Sequence, residues 1–229
     1  MRDIAGMLLA RSRIPDAGLL LDAGCGSGQT MAWFLGEHPR WSVIGLDVAA
    51  DGLRIARADL LPVCCASTLR VPLLDQTVDL VVSLDVLQHL PLDGGDAIAL
   101  AEFHRVLRPG GTLLIRTNAQ SFPHTRDDRE FSFRKYEPGA LRRTISTAGF
   151  AVISLGRCNA LLGLAEIPRE LKADRQGGEG YHGVLAEPRS ESAIAHKLKR
   201  GWLKVEGKAI AAGLSLPLGR TLFALCEKR

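Results

Sequence analysis

The run Leu19-Leu20-Leu21-Asp22-Ala23-Gly24-Cys25-Gly26-Ser27-Gly28 restricts the possible folds of this chain more than any other stretch. Three consecutive leucines that stop at a glycine cluster read as a strand buried on both faces, as inside a parallel sheet. The glycines supply a turn whose backbone can take positive φ and approach a ligand closely. Met31, Phe34 and Leu35 then fall at helical spacing, and a helix stop follows at residues 36–39. Strand, glycine turn and helix in that order make a βα unit, with its turn at the carboxyl end of the strand, where open α/β sheets bind ligands.

The alternation continues along the chain. Residues 43–46 read as strand, 51–58 as helix and 63–65 as strand, and the valine-rich 78–83 reads as an interior parallel strand. Leu100, Phe103 and Leu107 place one apolar stripe on a helix that Pro109, Gly110 and Gly111 end before a strand at 112–117. Pro138 suits a helix start, Leu141 and Ile145 lie one turn apart, Gly149 ends that helix, and strands follow at 150–155 and 221–226. The expected architecture is therefore α/β, a mostly parallel sheet with helices on both faces. A length of 229 residues suits one domain over 1–229.

One stretch breaks the pattern. Residues 157–220, between the last two strands, contain a glycine- and charge-rich segment at 174–190 that reads as a loop. After it, Ile194, Leu198, Trp202, Val205 and Ala209 share one helical face, with Lys197, Arg200, Lys204 and Lys208 mostly away from it. We expect this insertion to be lid-like, the Trp202 face closing over a bound molecule; a helix packed permanently on the sheet edge is the equal alternative.

Composition narrows the setting. A hydrophobic fraction of 46% with 24% charged residues is that of an ordinary folded globule. No uncharged apolar run nears the roughly 20 residues of a membrane span, and the short apolar N-terminus, broken by Arg11 and Arg13, is no signal peptide. Five cysteines (Cys25, Cys64, Cys65, Cys158 and Cys226), odd in number and without CxxC spacing, fit reduced thiols in the cytoplasm. The adjacent pair reads as strand core, and no metal is expected. A net charge of +4 is too small to indicate a nucleic-acid partner.

Asp47 follows the second strand, where a carboxylate can accept hydrogen bonds from both hydroxyls of a ribose, so with the glycine turn it points to an adenosine-containing ligand. The glycine spacing is GxGxG, not the GxGxxG that binds a dinucleotide, and Asp22 stands directly before it. A carboxylate there repels pyrophosphate and suits an ammonium group. An amino-acid sulfonium fits better than a diphosphate, and a nicotinamide dehydrogenase is the runner-up.

These residues resemble the class I S-adenosylmethionine-dependent methyltransferases of the small-molecule type with a DxGCGxG loop. Asp22 to Gly28 is similar to the family's first motif, and Gly45-Leu-Asp-Val48 to its ribose-binding strand end. Residues 78–90 are similar to its fourth-strand region, and Arg105-Val-Leu-Arg-Pro-Gly-Gly-Thr-Leu113 to the turn before its fifth strand. The resemblance implies a Rossmann-like, seven-stranded sheet of order 3-2-1-4-5-7-6 with strand 7 antiparallel. It implies S-adenosylmethionine as cofactor and S-adenosylhomocysteine as product, with Asp22, Gly24, Cys25, Gly26 and Gly28 around the methionine moiety. Asp47 would take the ribose, Val48 would pack on adenine, Ser67 and Thr68 would read the adenine edge, and Ser83 and Leu84 would face the amino-acid end. Ser67 stands where the family commonly has an acidic residue.

The acceptor side is less legible. His89 reads as a helix-start residue ahead of a general base, Asp85 as a pocket or capping residue, and Cys25 as a turn residue, not a nucleophile. Asn118, Gln120, His124, Arg134 and Tyr136 follow the fifth strand, and Tyr136, an amphipathic phenol, leads as a pocket residue and as a catalytic candidate beside His89. The expected activity is direct methyl transfer to a small molecule. An RNA- or tRNA-modifying enzyme using Lys197, Lys199, Arg200, Lys204 and Lys208 is the second reading, although no Asn-Pro-Pro-Tyr-type motif stands at Ser83-Leu84-Asp85-Val86. A non-catalytic S-adenosylmethionine-binding protein is the third.

Overall fold

The structure, a computed structural model, describes residues 2–12, 14–120, 134–160, 193–214 and 216–229, with the side chains of 193–200 left aside. Its elements in chain order are α1 (Arg2–Leu9), β1 (Leu19–Ala23), α2 (Gln29–Glu37), β2 (Ser42–Asp47), α3 (Ala50–Ala58), β3 (Val63–Cys65), β4 (Val78–Leu84), a 3₁₀ turn (Leu87–His89), α4 (Gly95–Val106), β5 (Leu107–Asn118), α5 (Pro138–Thr147), β6 (Phe150–Cys158), α6 (Ala193–Ala211) and β7 (Thr221–Lys228). The strands form one sheet of order β3-β2-β1-β4-β5-β7-β6. β7 runs antiparallel to both of its neighbours, and the other pairings are parallel.

Alternation along the central strands builds a core on each side of the sheet. Leu21, Val81, Leu113 and Ile115 pack with Leu100 and Phe103 of α4 and Leu141 and Ile145 of α5. Leu20, Leu80, Val82 and Leu114 face the other way, onto Ile4 and Leu8 of α1, Met31 and Phe34 of α2, Leu53 of α3 and Ile210 of α6. Because β1 and β4 are buried on both faces, their centres, Leu19–Leu21 and Leu80–Val82, are unbroken apolar runs, which is why the triple leucine and the valine run are readable as strands.

Three expectations are corrected. Leu107 does not continue the α4 stripe: its backbone is extended (ψ 142°) and it opens β5 opposite Val78. A buried leucine one turn after Phe103 satisfies either element, so spacing alone could not separate them. β6 runs to Cys158, so Arg157 and Cys158 belong to the sheet and not to the insertion. Cys65 is exposed at the end of β3, not core.

The face of α6 is also different from the one expected. Among the positions whose side chains are described, Glu206, Gly207 and Ile210 are buried, whereas Val205 is 57% and Trp202 40% exposed; Ile194 and Leu198 of the expected face lie outside them. Close approach to α1 decides this. A Cβ on Gly207 would lie 3.0 Å from Met7 Sδ and 3.2 Å from Ile4 Cγ1, so α6 turns this glycine, not Val205, to the neighbouring helix. Three hydrogen bonds fasten α6 to β6 and to the two residues that follow it. The Ser154 hydroxyl donates to the Ile210 carbonyl (2.6 Å), and the buried Glu206 carboxylate accepts the Asn159 and Ala160 N–H groups (2.8 and 2.9 Å) and the Trp202 indole N–H (2.6 Å). The loop at 174–190 lies outside the described residues.

Removing the carboxylate would leave two backbone donors and an indole without their acceptor. Glu206→Ala is expected to lower the unfolding free energy by about 2–4 kcal/mol, with Glu206→Gln losing less; chemical denaturation followed by circular dichroism checks the order.

Candidate active site

The glycine turn after β1 is shaped by its neighbours. Gly24 has φ +90°, and a Cβ there would lie 2.2 Å from Val86 Cγ2, so only glycine fits between β1 and the segment after β4. Gly24 and Cys25 both donate backbone N–H groups to the Leu46 carbonyl (2.8 and 3.0 Å), which ties the turn to the end of β2. From α3, Gly52 presses on the same turn: a Cβ on it would come within 2.8 Å of the Gly26 carbonyl carbon. Gly45, which leaves room for Cys25 Sγ and Met31 Sδ, stands in the run singled out at the end of the second strand, whereas Gly52 does not stand out in the sequence; the packing role of both is legible only from their contacts.

Asp47 completes the turn. Its Oδ2 accepts the Gly26 N–H and its Oδ1 the Ala49 N–H, each at 2.8 Å. A carboxylate has about four acceptor directions, so two remain for a pair of vicinal hydroxyls. Val48, the next residue, is 69% exposed at the strand tip, an apolar surface placed beside that carboxylate. Nearby, Thr68 is buried, and the Ser67 hydroxyl accepts the Leu69 N–H at 3.1 Å.

Asp22 is in the opposite condition. It is 1% exposed, and its Oδ2 finds no donor among the described residues. Burial, reinforced by the charge of Asp47, pushes its ionisation up to about 7. The Ser83 hydroxyl, at the end of neighbouring β4, is the other buried side-chain polar atom without a partner among the described residues. Buried polar atoms are normally satisfied, so an orphaned carboxylate beside a glycine turn marks a place where a cationic donor belongs. The residues therefore fit an amino-acid sulfonium: Asp22 for its ammonium group, Asp47 for its ribose and Val48 for its base. Cys25 is buried here, and burial together with the Asp22 and Asp47 charges pushes its thiol up to about 12. That agrees with a turn residue and not with a nucleophile.

On the acceptor side several expected residues are placed elsewhere. Tyr136 is only 5% exposed. Its hydroxyl donates to Asp96 Oδ2 (3.1 Å), Arg134 pairs with the same carboxylate and donates to the Pro91 carbonyl, and burial pushes the phenol's ionisation up. Tyr136 and Arg134 thus lock the segment before α5 onto α4; they do not line an open pocket. The apolar body of the phenol is the reason, since the core on the α4 side takes it in and supplies Asp96 as partner. His89 is exposed at the end of the 3₁₀ turn. Asn118 and Leu84 stand at the carboxyl edge of the sheet, Trp202 above the end of β6 through its bond to Glu206, and His124 lies outside the described residues. Asp85 is no helix cap: its carboxylate takes two hydrogen bonds from Arg116, one at 2.9 Å.

Arg116 was not expected. It occupies β5 opposite Leu84, on the same face as Leu114 and Asn118. A charged residue inside the run Leu113 to Asn118 is a signal that the sequence carried, though composition gives no reason to weigh it.

Residues 21–115 match the family described as methyltransferase domain. Over 133 residues the chain is 35% identical to a trans-aconitate 2-methyltransferase of Azoarcus sp. (strain BH72), covering 58% of this chain and 49% of that protein. It is 31% identical over 175 residues to a malonyl-[acyl-carrier protein] O-methyltransferase of Dechloromonas aromatica (strain RCB), covering 72% and 63%. A tRNA (carboxymethyluridine(34)-5-O)-methyltransferase of Arabidopsis thaliana is 32% identical over 102 residues, covering 44% and 24%. The chain thus spans between a quarter and two thirds of the length of these relatives. Among solved structures, phosphoethanolamine N-methyltransferase 2 of Haemonchus contortus, in complex with S-adenosyl-L-methionine, superposes with a TM-score of 0.66 at 17% identity, covering 99% of this chain and 52% of that one. The matched segment contains the glycine turn, Asp22 and Asp47, and the sheet order is that of the whole fold: the chain belongs to the class I S-adenosylmethionine-dependent methyltransferases.

Proposed function

We propose that the chain transfers a methyl group from S-adenosylmethionine to a small-molecule acceptor by direct displacement. The observation that carries this reading is the orphaned, buried Asp22 carboxylate beside the Asp47-anchored glycine turn. When bound, S-adenosylmethionine supplies an electrophilic methyl group on a sulfonium, and S-adenosylhomocysteine leaves. The residues of the chain hold and orient: Asp22 pairs with the ammonium group, Asp47 accepts from the ribose hydroxyls, Val48 covers one face of the base, and the Ser83–Leu84 main chain stands at the amino-acid end. Side chains need form no covalent bond in such a reaction, and alignment with exclusion of water accounts for the rate.

The setting fits this reading. No described helix is long and apolar enough to cross a membrane, and all five cysteines are free thiols, as suits the cytoplasm. Within the stretch we expected to be a lid, α6 carries Glu206 and Ile210 contacts that tie it to β6; we read it as a fixed wall of the acceptor side, with Trp202 at its upper edge. The names of two of the relatives specify small or carrier-bound acids. The third acts on tRNA, and the exposed Lys204 and Lys208 of α6 keep that alternative open to a direct test: RNA binding that weakens steeply with salt would favour it.

Two variants test the donor site by calorimetry with S-adenosylhomocysteine. Asp47→Ala removes the ribose acceptor and the anchor of Gly26, and a loss of about 100-fold or more is expected, because each hydrogen bond to a charged group contributes roughly 1.5–3 kcal/mol. Unchanged affinity would remove the basis for the assignment.

Asp22→Asn separates binding from stability. In the ligand-free fold Asp22 ionises near 7, against about 4 for an exposed aspartate. Its buried charge therefore destabilises the fold progressively as pH rises from about 4 to 7, and fully above that. The ligand-free variant should melt higher than its parent at pH 8, with the gap closing toward pH 4, while binding S-adenosylhomocysteine at least about tenfold more weakly at pH 8. A variant that melts lower at pH 8 would contradict the buried-charge account.

A further inference from the structure

A second charged group stands at the same end of the sheet, and it is not among the donor-site residues assigned above. Arg116 lies opposite Leu84 in the β4–β5 register, next to the strand end that faces the amino-acid part of the donor. Its guanidinium is held from one side. The Asp85 N–H donates to the Arg116 carbonyl at 2.9 Å, and the chain then turns at Asp85, a non-glycine residue with φ +61°. That turn returns the Asp85 carboxylate to the guanidinium, which donates from Nε to Oδ1 at 2.9 Å and from Nη2 to Oδ2. Of the five N–H donors of an arginine, these contacts use two, and no other acceptor for them is found among the described residues. Two positions on, facing the same way along β5, Asn118 presents a carboxamide.

The acid–base groups around this edge add a second constraint. Asp85 is engaged by Arg116, the Tyr136 phenol donates to Asp96 with its ionisation pushed up by burial, and Cys25 is pushed up to about 12. The Tyr136 phenol and the Cys25 thiol hold their protons at neutral pH and the Asp85 carboxylate is occupied, which leaves the exposed His89 as a proton acceptor at this edge. An acceptor that arrives already deprotonated requires none. A carboxylate meets both conditions, because it is anionic at neutral pH and its planar fork matches a guanidinium that has donors to spare.

We infer that Arg116, oriented by Asp85, is the specificity-determining residue of the acceptor site and binds a carboxylate of a carboxylic-acid acceptor. The inference rests on the methyl-transfer reading given above. For such an acceptor the step balances without a proton: one carboxylate oxygen forms a bond to the methyl carbon as the carbon–sulfur bond breaks, the bonding pair stays on sulfur, and a methyl ester and a neutral thioether leave. Arg116 holds the acid, by a second carboxylate or by the far oxygen of the same one; Asp85 acts through Arg116 as a positioning residue. The other carboxylate available beside the sulfonium is that of the donor itself, and the experiment separates the two.

The parent and the Arg116→Gln and Arg116→Lys variants are first titrated with S-adenosylhomocysteine. Their S-adenosylhomocysteine complexes are then titrated with malonate, tricarballylate and trans-aconitate, with dimethyl malonate as the uncharged control. The expected result is binding of at least one acid by the parent complex but not of the diester, a loss of about tenfold or more in Arg116→Gln, an intermediate loss in Arg116→Lys, which keeps the charge without the fork, and S-adenosylhomocysteine affinity within about twofold throughout. Should the Gln variant fail to fold by circular dichroism, the Lys variant carries the comparison. A parent complex that binds none of the acids, or equal acid binding in the variants, overturns the inference. A fall in S-adenosylhomocysteine affinity in the variants assigns the guanidinium to the donor's carboxylate and likewise overturns it. A parent that does not bind S-adenosylhomocysteine at all sinks the methyl-transfer reading, and this inference with it.

Discussion

Two carboxylates stand at the tips of adjacent parallel strands, and the chain satisfies only one of them. Asp47 is bonded to the Gly26 and Ala49 amides, which fixes the glycine turn against β2. Asp22 is enclosed, its Oδ2 without a donor among the described residues, and burial raises its ionisation and makes its charge a liability to the ligand-free fold. Stability alone does not explain an arrangement that places one charge near another and then withholds a partner; a cationic ligand explains it, because its ammonium would supply the missing donor and offset the like-charge repulsion. The rest of the molecule keeps this geometry fixed.

How the sheet does so is visible in its layers. β1 and β4 are buried on both faces and set the two strand ends side by side, with Asp22 in register with Val82 on one side and Gly45 on the other. Helices α1, α2, α3 and α6 cover the face from which Asp22 and Arg116 project, and α4 and α5 close the other. At the far end of the sheet Lys228, buried in β7, donates to the His104 and Leu107 carbonyls and so satisfies the last turn of α4. Antiparallel β7 allows this, since its carboxyl end returns to the bottom of the sheet while its start remains beside the acceptor edge.

The parts of this arrangement that follow from local chemistry were legible in the sequence. A triple leucine before glycines, a carboxylate at the next strand end and alternating strand and helix patterns each reflect a constraint on neighbouring residues. The parts that depend on contacts distant along the chain were not. Leu107 fits a helix stripe or a strand equally, α6 turns its glycine to α1 and leaves Val205 outside, and Tyr136 disappears into the core because Asp96, 40 residues earlier, offers it an acceptor. Arg116 is the same kind of case. Its meaning comes from Asp85, 31 residues away, which no periodicity links to it.

Proton-linked calorimetry tests the central claim most directly. If the ammonium of S-adenosylhomocysteine pairs with Asp22, binding stabilises a carboxylate that is only partly ionised near pH 7. Titrations at pH 7 in buffers of different ionisation heat should then show net release of a substantial fraction of a proton per bound molecule, and Asp22→Asn should abolish that release. Binding with no proton released, or the same release in the variant, would contradict the account.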